Sequence, residues 1–166
     1  WYYYAWLSGD HIVEQAVHSL DKMAWCVQDA PPLNVVAIGG RGVPEPAERG
    51  NGYDHFGATF DYGNGVKGVH MARQWNACPT ENHDYFYGAK GRAVIKGWDP
   101  LHEIEGESPW RYEGPGNDMY QTELDELMAS IRAGEPKNDG DYMTRSSLLG
   151  IMVRMAAYTG RVVTWD

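Results

Sequence analysis

The sequence predicts an α+β fold in which an open, mixed or antiparallel sheet carries helices packed on one face. Two patterns support this class: apolar residues recur at helical spacing near both ends of the chain, and alternating segments joined by turn signals occupy the middle. With 166 residues, of which 43% are hydrophobic, residues 1–166 are expected to form a single domain.

The first helix is predicted after Ser8-Gly9-Asp10, where Ser8 or Asp10 can accept hydrogen bonds from the N–H groups of the first turn. Apolar residues then recur at spacings of three and four for about fifteen residues, until Pro31 and Pro32 end the pattern. The opposite face of this predicted continuous helix carries His11, Glu14, His18, Asp21 and Trp25.

Short strands are predicted over residues 35–38, 56–62, 66–74, 84–87 and 93–95. The second and third of these should form a hairpin, because Asn64-Gly65 supplies residues that accept positive φ. A long loop rich in Gly and Pro, residues 39–52, precedes that hairpin, and loops of this length are often functional.

Two further helices are predicted over residues 120–131 and 142–158, ending at Gly134 and Gly160, and a short strand over 162–165 closes the chain. The carboxylate-rich stretch from Asp99 to Glu126 predicts a solvated acidic surface.

Composition argues against several classes of function. Lys and Arg number 14 and Asp and Glu 23, which gives a net charge of −9 and no basic surface for nucleic acid or an anionic membrane. No apolar stretch approaches the length of a membrane span. Cys26 and Cys78 lack the spacing of a zinc or redox motif. The composition fits either a cytoplasmic or an exported protein. Because the sequence starts at Trp1, we expect that an N-terminal part has been removed.

Two glycine-rich segments resemble nucleotide-binding loops in their letters only. The segment from Gly63 to Gly68 has the spacing G-x-G-x-x-G, but it forms a predicted hairpin turn instead of opening a helix that could receive a pyrophosphate. The segment from Gly39 to Gly42 is followed by Pro44 and by no capped helix. No nucleotide-binding fold is therefore expected within this chain.

Glu14 and His18 are the candidate catalytic residues. On a continuous helix, a carboxylate four residues before a histidine can orient the imidazole for proton transfer. The same spacing also fits a polar surface stripe, and His11 could join both residues in a metal site.

Arg73-Gln74-Trp75 follows the predicted hairpin and combines a guanidinium group, an amide and an aromatic plane, which suit sugar hydroxyls. An interface strand is the alternative interpretation. The aromatic residues between Trp1 and Trp6 could line a pocket or pack against the sheet.

Three segments together resemble the C-terminal domain of the Gfo/Idh/MocA (glucose-fructose oxidoreductase / inositol dehydrogenase) family. They are Trp6 to Asp21, Met119-Tyr120-Gln121-Thr122-Glu123 with Asn138 to Met143, and Arg154 to Gly160. In this resemblance His18 corresponds to the family's proton-transferring histidine, and Glu14 stands where many members have Asp. Leu124 stands where relatives are expected to have a histidine.

The resemblance implies that this chain is the substrate-binding and oligomerisation half of an oxidoreductase that uses NAD or NADP. The family's Rossmann domain would precede Trp1 and would supply the cofactor site, so the chain alone is expected to be inert. The expected substrate is a sugar, a polyol or a sugar derivative, bound by Asp10, His11, Arg73, Gln74 and Trp75. The open sheet face favours a homodimer or higher oligomer. The alternative is a stand-alone carbohydrate-binding or self-association module without catalysis.

Overall fold

The structure, a computed structural model, describes residues 1–42, 50–99 and 101–166. These residues form two compact units, one from Trp1–Cys78 with Gly140–Asp166 and the other from Pro79–Asp139. The helices are α1 (Ala5–Ser8), α2 (Asp10–Glu14), α3 (Val17–Cys26), α4 (Met119–Ala133) and α5 (Gly140–Thr159). The strands are β1 (Asn34–Gly40), β2 (His55–Gly63), β3 (Val66–Arg73), β4 (His83–Gly88), β5 (Gly91–Lys96), β6 (His102–Gly106), β7 (Trp110–Arg111) and β8 (Val163–Thr164).

The first unit is built on an antiparallel sheet with strand order β3-β2-β1-β8. Helices α2, α3 and α5 pack together, and α5 lies against β1 and β2. The core between sheet and helices is fully buried at Ile12, Leu20, Val35, Phe60 and Val153. Burial of these apolar side chains is the main force that joins the helices to the sheet.

The two faces of this sheet differ in their exposure. Along β1 and β3, side chains alternate between the helix-covered face and the opposite face. The opposite face, which we call the open sheet face, carries four exposed aliphatic side chains: Val36, Ile38, Val69 and Met71.

The second unit contains a four-stranded antiparallel sheet in the order β4-β5-β6-β7. Arg92 and Glu105 form an ion pair across β5 and β6, with Nε and Oε2 2.9 Å apart. Helix α4 begins at the Asp118 cap, whose carboxylate accepts hydrogen bonds from the backbone N–H groups of Tyr120 and Gln121.

The structure confirms the α+β class, but the strands form two antiparallel sheets where the sequence led us to expect one. The predicted hairpin forms at Asn64 and Gly65, which have φ values of 52° and 81°. Strands β6 and β7 lie in the stretch that we interpreted only as an acidic surface. The alternation on β6 was missed because Glu103 and Glu105 occupy alternate positions of this short strand and add to the run of carboxylates; Glu105 pairs with Arg92 on the neighbouring strand.

The prediction of one continuous first helix is wrong. Helix α2 ends at Glu14 and α3 begins at Val17. At Gln15 the backbone leaves the helical region, with φ −125° and ψ −49°. The N–H groups of Gln15 and Ala16 both donate to the carbonyl oxygen of His11, at 3.0 and 2.8 Å. Glu14 and His18 therefore do not lie on one regular helix.

Candidate functional site

A cavity of about 480 Å³ lies in the first unit. Its walls come from four places in the chain: the segment before α1, the start of α2, the segment that leads into β2, and the residues after β3. The lining residues are aromatic or capable of hydrogen bonding, and they include Tyr2, Tyr3, Tyr4, Asp10, His11, Arg41, Tyr53, Asp54, Gln74 and Asn76. This mixture of ring faces and polar groups is typical of small-molecule sites.

The tyrosine wall is fixed by the short segment from Gly50 to Gly52. The N–H groups of Asn51 and Gly52 donate to the carbonyl oxygen of Tyr3 at 3.0 and 2.9 Å. The Asn51 side chain in turn accepts the N–H of Ala5 at 2.9 Å. Gly50 has φ +116°, and a Cβ atom there would lie 2.2 Å from the Tyr3 carbonyl oxygen. The close approach of the two segments therefore requires glycine.

The buried side chain of Asp10 links α2 to α5 and to the segment before β2. Its Oδ1 accepts the N–H of Tyr53 at 3.0 Å and the hydroxyl of Tyr158 at 3.2 Å, and its Oδ2 accepts Nε of Arg154 at 2.9 Å. The rings of Tyr53 and Tyr158 stack with their centres 3.9 Å apart. Burial, followed by the hydrogen bond to Asp10, holds the pKa of Tyr158 well above its usual value, so this tyrosine stays a donor at neutral pH.

His11 is 5% exposed, and its Nδ1 lies 3.3 Å from the carbonyl oxygen of Tyr53. Because a carbonyl oxygen only accepts, Nδ1 carries the proton in this contact. Burial lowers the pKa of His11, although the carbonyls of Tyr53 and Ala72 oppose that shift, so we expect a neutral ring at neutral pH. Its Nε2 has no hydrogen-bond partner among the described residues.

Two charged side chains of the cavity lining, Arg41 and Asp54, bind nearby backbone groups. Both carboxylate oxygens of Asp54 accept the N–H of Gly42 at 2.9 Å, and Oδ1 lies 2.8 Å from Nδ1 of His55. Arg41 donates from Nη1 to the carbonyl oxygen of Gly50 at 2.9 Å. These contacts hold a positive and a negative group in one wall.

A cluster of three polar side chains, which we call the Gln15 cluster, lies at the edge of the cavity. Oε1 of Gln15 accepts the hydroxyl of Tyr2 at 3.2 Å and also accepts a hydrogen bond from Nε2 of Gln74. Tyr2 and Gln74 line the cavity. Burial raises the pKa of Tyr2 to about 12, and the negative charge of Glu14 adds to this effect. The cluster therefore connects the cavity to the segment that carries Glu14.

The structure brings only some of the predicted substrate-binding residues together. Asp10, His11 and Gln74 line the cavity. Arg73 and Trp75 instead pack against each other beside it, with the guanidinium carbon 5.6 Å from the Trp75 ring centre. The Trp75 ring also contacts the ring of His55 edge to face, with the ring centres 5.6 Å apart.

Glu14 and His18, the predicted catalytic pair, have exposed side chains and lie on separate helices. Within the described residues they form no hydrogen bond with each other, and neither lines the cavity. Glu14 directly precedes Gln15 in the chain, and the backbone N–H of His18, the second residue of α3, lies 3.4 Å from the carbonyl oxygen of Gln15. The two residues therefore lie on opposite sides of the helix break. Asp21, from the same predicted stripe, accepts hydrogen bonds from Tyr142 and Ser146 of α5.

Sequence reasoning missed several residues of the cavity and its support: Gln15, Arg41, Tyr53, Asp54, Asn76, Arg154 and Tyr158. The loop over residues 39–52 was singled out by its length, which was a sequence signal for Arg41. Tyr53 and Asp54 follow this loop, and no pattern indicated them. Residues 43–49 of this loop lie outside the described residues.

The described residues form neither a cluster of metal ligands nor a dinucleotide-binding turn. Within residues 1–42, 50–99 and 101–166, no three His, Cys, Asp or Glu side chains lie together as metal ligands would. Residues Gly63 to Gly68 form the β2–β3 turn and the start of β3, so no helix N-terminus is present there to bind a dinucleotide. None of the helices in this part of the chain is long and apolar enough to cross a membrane.

Comparisons with known proteins relate the fold to oxidoreductases. No family model and no curated protein sequence matches the chain. Among solved structures, UDP-N-acetylglucosamine 3-dehydrogenase from Acidithiobacillus ferrooxidans matches with a TM-score of 0.75 and 20% identity, over 92% of this chain and 49% of that one. An oxidoreductase from Thermotoga maritima matches with a TM-score of 0.73 and 16% identity, over 98% of this chain and 49% of that one.

A dehydrogenase from Bordetella pertussis, solved in complex with NADH and UDP-GlcNAcA, matches with a TM-score of 0.66 and 18% identity, over 92% of this chain and 44% of that one. At these identities the likeness establishes a shared fold. The chain spans about half the length of the solved proteins it matches.

Proposed function

We propose that residues 1–166 are the C-terminal, substrate-binding domain of a nicotinamide-dependent oxidoreductase of the Gfo/Idh/MocA family. The proposed substrate is a sugar, a polyol or a sugar derivative. The fold shared with solved dehydrogenases supports this proposal, as does the half-length coverage, which leaves room for a second domain in those proteins. The sequence motifs from Trp6 to Asp21 support the family assignment.

The observation that carries the proposal is the composition of the cavity. Tyrosine rings offer flat apolar surfaces, and His11, Asp54, Gln74 and Asn76 supply hydrogen-bonding groups beside them. A polyhydroxylated ring needs both, because its C–H faces pack on aromatic rings and its hydroxyl groups require donors and acceptors. A volume of about 480 Å³ falls within the range of small-molecule sites.

The described residues of this chain offer no cradle for the nicotinamide cofactor, because the G-x-G-x-x-G spacing lies on the β2–β3 turn and the start of β3 and not at the start of a helix. In our proposal NAD or NADP binds to a Rossmann domain that precedes Trp1, and the present chain has no redox activity alone. The contribution of this chain is to bind and orient the substrate and to handle a proton.

Within this contribution, His18 is the proposed proton carrier for the reacting hydroxyl group, through one nitrogen of its imidazole. Glu14 is proposed to influence the orientation or charge of that ring. The position of both residues next to the Gln15 cluster supports these roles, because that cluster contains two side chains from the cavity wall. Asp10 is proposed to position Tyr53 and Tyr158, since its buried carboxylate accepts hydrogen bonds from both residues and from Arg154.

The proposed partner of the open sheet face is a second copy of this chain. In the strand register Val36 and Val69 flank Thr59, and Ile38 and Met71 flank Gly57, so the apolar side chains form two adjacent rows. Two such faces related by a twofold axis would cover each other's rows. Light scattering of Met71→Lys should then show a lower molar mass than the wild type, while Leu7→Lys, on exposed α1, should not. A monomeric wild type at high concentration would contradict this proposal.

Sugar binding to this chain tests the proposed substrate class. Saturation-transfer NMR with D-glucose, N-acetylglucosamine and myo-inositol should detect binding of at least one of them. Gln74→Ala should weaken that binding, whereas Gln121→Ala, on exposed α4, should leave it unchanged. Absence of binding by all three compounds, or an unaffected Gln74→Ala variant, would count against the cavity as the substrate site.

The proton-transfer role requires the longer polypeptide that includes the proposed Rossmann domain. With NAD or NADP and a sugar that it oxidises, His18→Ala should lower kcat by at least 100-fold, a typical contribution of general acid–base catalysis. An unchanged kcat would remove His18 from the mechanism.

One observation favours the alternative of a binding module without catalysis. All the described residues that line the cavity belong to the first unit of this chain. A coding sequence that has no Rossmann domain before Trp1, together with tight sugar binding by the chain, would support that alternative.

A further inference from the structure

Gln15 has an unusual position between the cavity and the predicted catalytic pair. It occupies the break between α2 and α3, and its exposed side chain extends to Tyr2 and Gln74, which are 13 and 59 residues away in the sequence. No motif singled it out, because its neighbours Glu14 and His18 were the residues with recognisable spacing.

The side-chain hydrogen bonds of Gln15 within the described residues are made by its amide oxygen and not by its amide nitrogen. Its Oε1 accepts from both the Tyr2 hydroxyl and Nε2 of Gln74, and these two donors fill the acceptor capacity of a carbonyl oxygen. The two N–H groups of its own amide have no acceptor among the described residues. The amide orientation is therefore fixed by the protein, while its donors remain available.

We propose that Gln15 is a substrate-binding residue that donates a hydrogen bond from Nε2 to an oxygen atom of the ligand at the edge of the cavity. This inference rests on the proposed function of the cavity as a sugar site. The contacts with Tyr2 and Gln74 hold the amide in place before the ligand arrives, which reduces the entropy lost on binding. The ligand oxygen bound here would lie on the side of the cavity nearest to Glu14.

Two substitutions test the amide donor of Gln15. Gln15→Met has neither donor nor acceptor, so the affinity for the best-binding compound among D-glucose, N-acetylglucosamine and myo-inositol should fall at least 10-fold. Gln15→Glu keeps an oxygen for Tyr2 and Gln74 but has no N–H group, and it provides a second test if the methionine variant does not fold. Its effect should be smaller, because a ligand hydroxyl can reverse and donate to the carboxylate.

Two further variants complete the comparison. Gln28→Glu adds the same charge at an exposed position and should change the affinity less than 2-fold. Tyr2→Phe removes one hydrogen bond to Gln15 but leaves the amide donors, so it should weaken binding only about 2- to 3-fold.

The outcomes distinguish this inference from the proposed function. If the wild type binds a sugar and Gln15→Met binds it equally well, Gln15 is not a ligand donor although the cavity is a sugar site. If Tyr2→Phe weakens binding as much as Gln15→Met, Gln15 acts by holding Tyr2 and the inference is overturned. If the wild type binds none of the three compounds, the proposed substrate class and this inference both fail.

Discussion

Arg154 of α5 donates from Nε to Oδ2 of Asp10 at the start of α2, at 2.9 Å. The carboxylate is fully buried, while the guanidinium side chain is 34% exposed and also lies 5.0 Å from the ring centre of Tyr158. This ion pair connects α2 to α5 within the unit that contains the cavity. It also places Tyr158, and through it Tyr53, against the cavity wall.

Asp10→Asn should therefore lower the free energy of unfolding by about 2 kcal/mol, because an amide no longer neutralises Arg154 and one of its donors faces the guanidinium group. Urea unfolding measures this change. Asp61→Asn is the matched control: Asp61 pairs with Lys67 on the surface at 2.7 Å, where solvent screens the charges, so a smaller loss is expected. Equal losses in the two variants would show that burial of Asp10 does not increase the contribution of its ion pair to the free energy of unfolding.

Gly50→Ala should destabilise the wall that contains Tyr3. The residue has φ +116°, and a Cβ atom would lie 2.2 Å from the Tyr3 carbonyl oxygen, so the two segments must separate. We expect a loss of about 1–3 kcal/mol and faster amide exchange at Asn51 and Gly52, which donate to that carbonyl. Gly116→Ala serves as the control, since a Cβ there would meet no atom within 4 Å. Unchanged exchange at both amides would show that their hydrogen bonds to the Tyr3 carbonyl oxygen do not depend on glycine at position 50.

Tyr62→Phe should leave stability at pH 7 unchanged or slightly increased, because the buried hydroxyl has no hydrogen-bond partner among the described residues. Tyr142→Phe should instead cost about 1 kcal/mol, because its hydroxyl contacts Asp21 and the indole N–H of Trp25. Thermal and urea unfolding of both variants make the comparison. A destabilised Tyr62→Phe variant would mean that this hydroxyl has a partner in solution.

The raised pKa of Tyr62 predicts that stability depends on pH in the alkaline range. Burial raises the pKa of Tyr62 from 10 to about 12 in the folded state, so the folded state favours the neutral ring. The stabilisation that results is complete below pH 10 and is lost as the pH rises from 10 towards 12. The unfolding free energy of the wild type should therefore fall more steeply in this range than that of Tyr62→Phe. Parallel pH curves would contradict the assignment to Tyr62.

His11 predicts a dependence on acidic pH. Burial lowers its pKa below the usual 6.5, so the unfolded chain takes up a proton more readily than the folded one. This contribution to stability is complete above pH 6.5 and decreases as the pH falls below it. The slope of unfolding free energy between pH 5 and 6.5 should be smaller in His11→Gln than in the wild type, with His83→Gln of the second unit as control. NMR of the ring protons should show His11 titrating below pH 6.5.

Much of the secondary structure could be predicted, because its signals are local. Alternating side chains over β2 and the Asn64-Gly65 turn specify the hairpin within a few residues. Apolar spacing at three and four residues predicts α4 and α5 in the same way. By contrast, the break at Gln15 contains neither glycine nor proline, and its side-chain partners lie far along the chain, so no local pattern indicates it.

The candidate site was predictable only in part. Local patterns were sufficient for the fold class, for the alternation of the sheet faces and for the polar residues Asp10, His11 and Gln74 near element ends. The buried position of Asp10 at the centre of several hydrogen bonds follows from the folded chain alone, because its partners Tyr53 and Tyr158 lie 43 and 148 residues away. Periodicity records which face of an element is apolar, whereas a cavity depends on contacts between distant segments that form only when the chain has folded.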